Sequence, residues 1–207
     1  MARAASTKGP TRIQREKTEA ILEAALEVFA TYGFRGATLD QIAAQSGISK
    51  PNILYYFDGK EAIHAVLLAR LLKTWLEPLE QLSHQGDPIE EICAYVARKL
   101  AMSRDYPRES RLFANEILQG APHILEELTG PLKTLTDKKA ALIQDWIDAG
   151  KIKAIDPHHL IFSIWSCTQH YADFDVQVRA VLSGKAKNRF DQAAIFLDRM
   201  YRATLTP

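Results

Sequence analysis

The chain has 207 residues, 47% hydrophobic and 25% charged, the size and composition of a globular protein with one substantial core or two small ones. A formal net charge of +1 argues against polyanion binding through bulk charge, and no apolar run approaches the ~18 residues of a membrane span. Cys93 and Cys167 lie far apart with no secretory leader pattern, which excludes a disulfide scaffold and predicts a cytoplasmic protein without membrane contact.

Charge is concentrated at the start. Arg3, Lys8, Arg12, Arg15 and Lys17 face only Glu16 in residues 1–17, a local net charge of +4. Residues 1–11 are small, polar and basic, and read as an unstructured arm able to attract phosphate. From Thr11, Leu22, Ala25, Leu26 and Phe29 share one face of a helix that Gly33 ends. Thr38 and Gln41 have capping-box spacing ahead of a two-turn helix whose apolar side is Leu39, Ile42 and Ala43. Gly47 breaks that helix, Ser49 is positioned to cap the next, and Pro51 fits its first turn.

Asp58 and Glu61 suggest another capping box, opening a long helix to about Leu82 with Ile63, Val66, Leu67, Leu71 and Thr74 on one face. Pro78 removes one hydrogen bond from this helix and can kink it. Asp87, Pro88 and Glu90 form a cap, a first-turn proline and a box partner. Further stops fall at Tyr106-Pro107, Ala121-Pro122, Gly130-Pro131 and Asp156-Pro157, giving about nine helices. The expectation is an all-α chain with a flexible arm (1–11), a three-helix N-terminal unit (12–60) and a larger helical body (61–207).

The helix, the turn at Gly47 and the short helix from Ser49 make a helix-turn-helix pattern. Two helical turns fit the DNA major groove, where Lys50 and Asn52 can offer donors. Tyr55, Tyr56 and Phe57 are consecutive, and neighbours on a helix point about 100° apart, so they cannot all face one core. Phe57 and Leu54 are expected to face inward, leaving a tyrosine to meet a partner such as phosphate or sugar.

The stretch "AALEVFATYGFRGATLDQIAAQSGISKPNILYYFDGKEAIHAVL", Ala24 to Leu67, resembles the TetR family of bacterial transcriptional regulators. That resemblance implies a homodimer, an N-terminal domain that binds double-stranded operator DNA, and a C-terminal domain that binds a small-molecule effector and dimerises. Carried over residue by residue, Thr38 and Lys60 correspond to phosphate contacts, and Ser49, Lys50, Asn52, Tyr55 and Tyr56 to the recognition segment. Gly59 stands where serine or asparagine is usual, and Pro51 where small residues are common.

Two later segments, "SRDYPRESRLFANEILQGAP" and "DPHHLIFSIWSCTQHYADF", are similar to the ligand domain of pyrimidine-responsive members of that family. The similarity implies uracil or thymine as effector and repression of pyrimidine-degradation genes. Such a ring presents an imide edge of alternating carbonyl and N–H, which a primary amide can pair. Gln169 is the first candidate, with Thr168 beside it and Trp75 or Trp165 as a stacking wall. Tyr171, Asn115 and Arg111 are further polar candidates, although Arg111 could instead pair with Asp105 or Glu109.

The helices from Pro157 to about Asp173 and from Phe190 to Tyr201 are expected at the dimer interface, the second through Phe190, Ala194, Leu197 and Tyr201. An apolar or aromatic effector is the alternative. Enzyme readings lack support. The six histidines have no metal-ligand spacing, and no nucleotide-binding, zinc-protease or nucleophile-elbow motif occurs, so no catalytic residues, metal or cofactor are assigned.

Overall fold

Residues 11–207 are described in the computed structural model, so the predicted arm lies, apart from Thr11, outside the described residues. The regular structure among them is all helical, and the chain divides into two compact units, residues 1–67 and 68–207.

The first unit holds α1 (Arg12–Gly36), α2 (Leu39–Ser46), α3 (Lys50–Tyr56) and the start of α4 (Lys60–Glu80). Leu22, Ala25, Leu26 and Phe29 are all buried, as their spacing predicts. Gly33 breaks α1 at φ 66° and ψ 169°, a conformation that side chains with a Cβ disfavour. Thr38 and Gln41 close the capping box of α2. The Gln41 N–H donates to Thr38 Oγ1 at 3.2 Å, and the Thr38 N–H donates to Gln41 Oε1 at 2.8 Å. Gly47 then takes the left-handed conformation at φ 66° and turns the chain into α3.

Two details of α3 differ from expectation. Ser49 sits at the N-cap with extended backbone, but its hydroxyl makes no capping bond. The inward residue is Ile53, fully buried, whereas Leu54 is 46% exposed. A helix of seven residues has room for one buried column, and Ile53 fills it.

The second unit comprises the rest of α4, then α5 (Pro88–Asp105), α6 (Pro107–Leu118), α7 (Leu125–Glu127), a π-helical turn (Leu128–Leu132) and α8 (Lys133–Asp148). It continues with α9 (Pro157–Asp173), α10 (Asp175–Leu182), a 3₁₀ turn (Ser183–Asn188) and α11 (Arg189–Leu205). Among the described residues, eleven α-helical segments replace the nine expected. Neither α7 nor α10 buries a residue, so neither carries the apolar periodicity that reveals a helix in sequence.

Helix α5 packs on both α9 and α11, and α6 and α8 pack on α9. Tyr95, Val96, Ile143, Trp146, Ile161 and Leu197 belong to the shared core. Asp87 caps α5 by accepting from the N–H groups of Ile89 and Glu90, but the Glu90 side chain pairs with Arg202 instead of closing a box. Asp156 caps α9 by accepting from the His159 N–H at 2.9 Å. Helix α4 stops at Glu80, where the Lys139 ammonium from α8 donates to the carbonyls of Glu80 and Leu82 at 2.7 and 2.6 Å. Among the described residues no helix is long and apolar enough to cross a membrane.

Candidate DNA-reading helix and ligand cavity

Helix α3 displays most of its side chains outward. Tyr55 is 74% exposed, and its ring meets the edge of the half-buried Tyr56 with centroids 5.1 Å apart. Phe57 is half-buried. Ser49, Lys50 and Asn52 are exposed, so the uncommitted Ser49 hydroxyl remains available to an outside acceptor. Lys50 Nζ pairs with Asp40 at 2.9 Å, an exposed ion pair that a phosphate could displace at small cost.

Thr38 and Lys60 occupy more constrained positions. The Thr38 hydroxyl belongs to the capping box of α2. The Lys60 ammonium donates to the main-chain carbonyls of Phe34 and Ala37, each at 2.9 Å, and lies 4.6 Å from the centre of the Phe34 ring. Lys60 therefore ties the start of α4 to the carbonyl end of α1, with one N–H left for any anion.

In the second unit a cavity of about 290 Å³ lies between α4, α5, α6, α9 and the π-helical turn. Leu72, Leu76 and Leu79 of α4, with Phe113 and Ile117 of α6, line its walls. Leu128 and Leu132 add the π-helical turn, a distortion frequent at functional sites. Its volume is at the small end of the ~300–1,000 Å³ of drug-sized pockets, which suits a small effector.

Trp75, Trp165 and Gln169 all line this cavity. The Trp75 Nε1–H is buried with no hydrogen-bond partner, and the ring meets Tyr106 at 6.4 Å. Trp165 Nε1–H donates to the Tyr95 hydroxyl at 2.6 Å, so Trp165 offers the cavity its ring and not its donor.

Four other expected ligand residues do not line the cavity. Thr168 is fully buried, and its hydroxyl donates back to the Ile164 carbonyl at 2.7 Å. Tyr171 faces shallow clefts beside His170 on the other side of α9 and packs on Phe190. Arg111 acts electrostatically on Asp173, while Asp105 pairs with its neighbour Arg104 at 2.7 Å. Asn115 lies half-buried on α6, off the cavity.

Two polar cavity residues were missed in the sequence, Tyr95 and Lys99, together with the apolar lining. Lys99 is only 3% exposed, and its ammonium lies 5.2 Å from the Trp75 ring centre. Burial lowers its pKa from 10.5 to about 8, against the pull of Asp173. Burial also raises the Asp173 carboxyl above its ordinary range, although Ser110 donates to it. The signal for Lys99 lay in its spacing from Ile92, Val96 and Ser103, a buried stripe on which a lysine is out of place.

Comparison with known proteins extends over both units. Residues 21–66 match the family described as bacterial regulatory proteins, tetR family, and residues 68–207 match YcdC-like protein, C-terminal region. The chain is 46% identical over 199 residues to the HTH-type transcriptional regulator RutR of Escherichia coli (strain K12), covering 95% of this chain and 94% of that one. In fold it resembles SCO4942 of Streptomyces coelicolor, with TM-score 0.73, 23% identity and coverage of 91% and 98%. A TetR-like transcriptional regulator from Rhodococcus sp. RHA1 has TM-score 0.67 at 22% identity, with coverage of 94% and 98%. Regulators of this kind bind operator DNA and act as dimers. The chain belongs to the TetR family of bacterial regulatory proteins, as a DNA-binding transcriptional regulator and not an enzyme.

Proposed function

We propose that this regulator is a cytoplasmic repressor of pyrimidine-degradation genes, released from its operator by uracil or thymine. The carrying observation is that Gln169, the side chain able to pair an imide edge, shares one small cavity with Trp75 and Trp165. The likeness of the two C-terminal segments to pyrimidine-responsive regulators supports the same reading. Tyr55, Tyr56, Ser49, Lys50 and Asn52 are proposed to read the operator, with Thr38 and Lys60 near phosphate. Helix α4 has residues in both units and is the proposed route from cavity to DNA. The effector favours one dimer geometry and DNA the other.

The mostly apolar walls favour a second reading, an apolar or aromatic effector. Against it stand Lys99 and the unpartnered Trp75 N–H, which such a ligand would bury without compensation. Thermal shift measurements separate the two readings. Uracil should raise the melting temperature, and Gln169→Ala should abolish the rise. A fatty acid that raises it while uracil leaves it unmoved would favour the apolar effector and sink the pyrimidine reading. Uracil should also release bound operator; tighter DNA binding with uracil would reverse the sign.

A further inference from the structure

The polar groups of the cavity are unequal in kind. Lys99 brings an ammonium, a donor with no acceptor capacity. Trp75 brings a buried N–H with nothing to receive it. The Tyr95 oxygen already accepts from Trp165 at 2.6 Å, which leaves its own hydrogen to be given elsewhere. Gln169 Oε1 is the one amide or carboxylate oxygen among the lining side chains. Donors therefore outnumber acceptors, and the strongest donor is held at the cavity wall against the Trp75 ring.

Such a wall sorts ligands by the hydrogen-bonding sense of their edges. A ring bearing carbonyl oxygens satisfies Lys99 and Trp75, and its imide N–H meets Gln169 Oε1. A ring with an exocyclic amine sets donor against donor and leaves buried groups unsatisfied, which costs more than the gain from any single hydrogen bond. A hydrocarbon satisfies none of them.

We propose that Lys99 is the specificity-determining residue of the cavity, admitting rings that present two carbonyl oxygens about an imide N–H and excluding pyrimidines such as cytosine, in which an amine replaces one carbonyl and the imide hydrogen is absent. This deepens the pyrimidine reading and rests on it. Lys99 acts by direct contact with the effector, and Asp173 supports it electrostatically from α9 without lining the cavity.

Calorimetry with uracil, cytosine and toluene on the wild type, Lys99→Met and Lys99→Gln tests the proposal. The wild type should bind uracil at least about tenfold more tightly than cytosine. Lys99→Met should weaken uracil by about 10- to 100-fold, narrow the gap to cytosine and gain affinity for toluene. Lys99→Gln keeps an N–H donor and should recover part of the uracil affinity; should the Met variant fail to fold, the Gln variant's smaller loss reads the same effect.

A wild type that binds no pyrimidine would overturn the effector reading itself. A wild type that binds uracil, with Lys99 variants of unchanged affinity and unchanged discrimination, would overturn the role of Lys99 alone.

Discussion

The Lys60 ammonium gives two of its three hydrogens to the Phe34 and Ala37 carbonyls and rests on the Phe34 ring. Its role in holding α1 to α4 therefore comes before any role at phosphate. Lys60→Met removes a charged donor from two carbonyls and should cost about 1.5–3 kcal/mol, seen as a lower melting temperature. Melting unchanged while DNA affinity falls would mean that phosphate is its main partner. Tyr55 presents the opposite case. It is mostly exposed, so Tyr55→Ala should change stability by no more than ~0.5 kcal/mol while weakening operator binding in a gel-shift titration. Equal affinity would remove Tyr55 from the DNA surface. Of the cavity residues, Trp75, Trp165 and Gln169 were legible once the resemblance of the C-terminal segments implied a flat ring with an imide edge, which calls for stacking walls and an amide. Lys99 was not, because a lysine on an amphipathic helix ordinarily reads as solvated. Thr168 misled for a related reason. A hydroxyl beside Gln169 in sequence points about 100° away around the helix and satisfies itself on its own backbone.

At the scale of elements, boundaries carried by capping chemistry were readable. Thr38 with Gln41, Asp87 with Pro88, and Asp156 with Pro157 each open a helix where expected. The π-helical turn at Leu128–Leu132 has no periodic signature and could not be read. Helix α11 shows a different limit. Leu197 and Tyr201, expected at a dimer seam, are buried in the unit's own core together with Ala193 and Leu205, on the side where α5 packs. The outward apolar residues are Ile195 and Phe196, with Phe162 on α9, all about half exposed. A helix with apolar residues on two sides has two faces, and periodicity does not say which one meets a partner. On this geometry the proposed dimer uses Phe196 and Phe162 rather than Leu197 and Tyr201. Phe196→Asp should then produce monomers in sedimentation velocity, because a carboxylate inside an apolar seam is left without a partner. A dimer unmoved by this change would place the seam elsewhere.

For the whole molecule, the buried Lys99 links stability, pH and effector. An unfolded lysine titrates near 10.5, whereas burial brings Lys99 to about 8. Between these values the unfolded chain binds the proton and the folded chain does not, so this group makes stability rise with pH from about 8 to about 10.5. Below about 8 both states are charged, and the folded protein carries the full penalty of the buried ammonium, on the order of 3 kcal/mol. Asp173 faces Lys99 from α9 and moderates that penalty, and Tyr95, whose own pKa burial raises, stays neutral across this window. Lys99→Met should therefore raise the melting temperature of the unliganded protein at pH 7, and the gain should fade as pH approaches 10. The same variant should lose the further rise that uracil gives the wild type, since a ligand stabilises only the state it binds. A variant less stable than the wild type at pH 7, or a gain that does not shrink with rising pH, would mean that the Trp75 ring and Asp173 already compensate the ammonium without an effector.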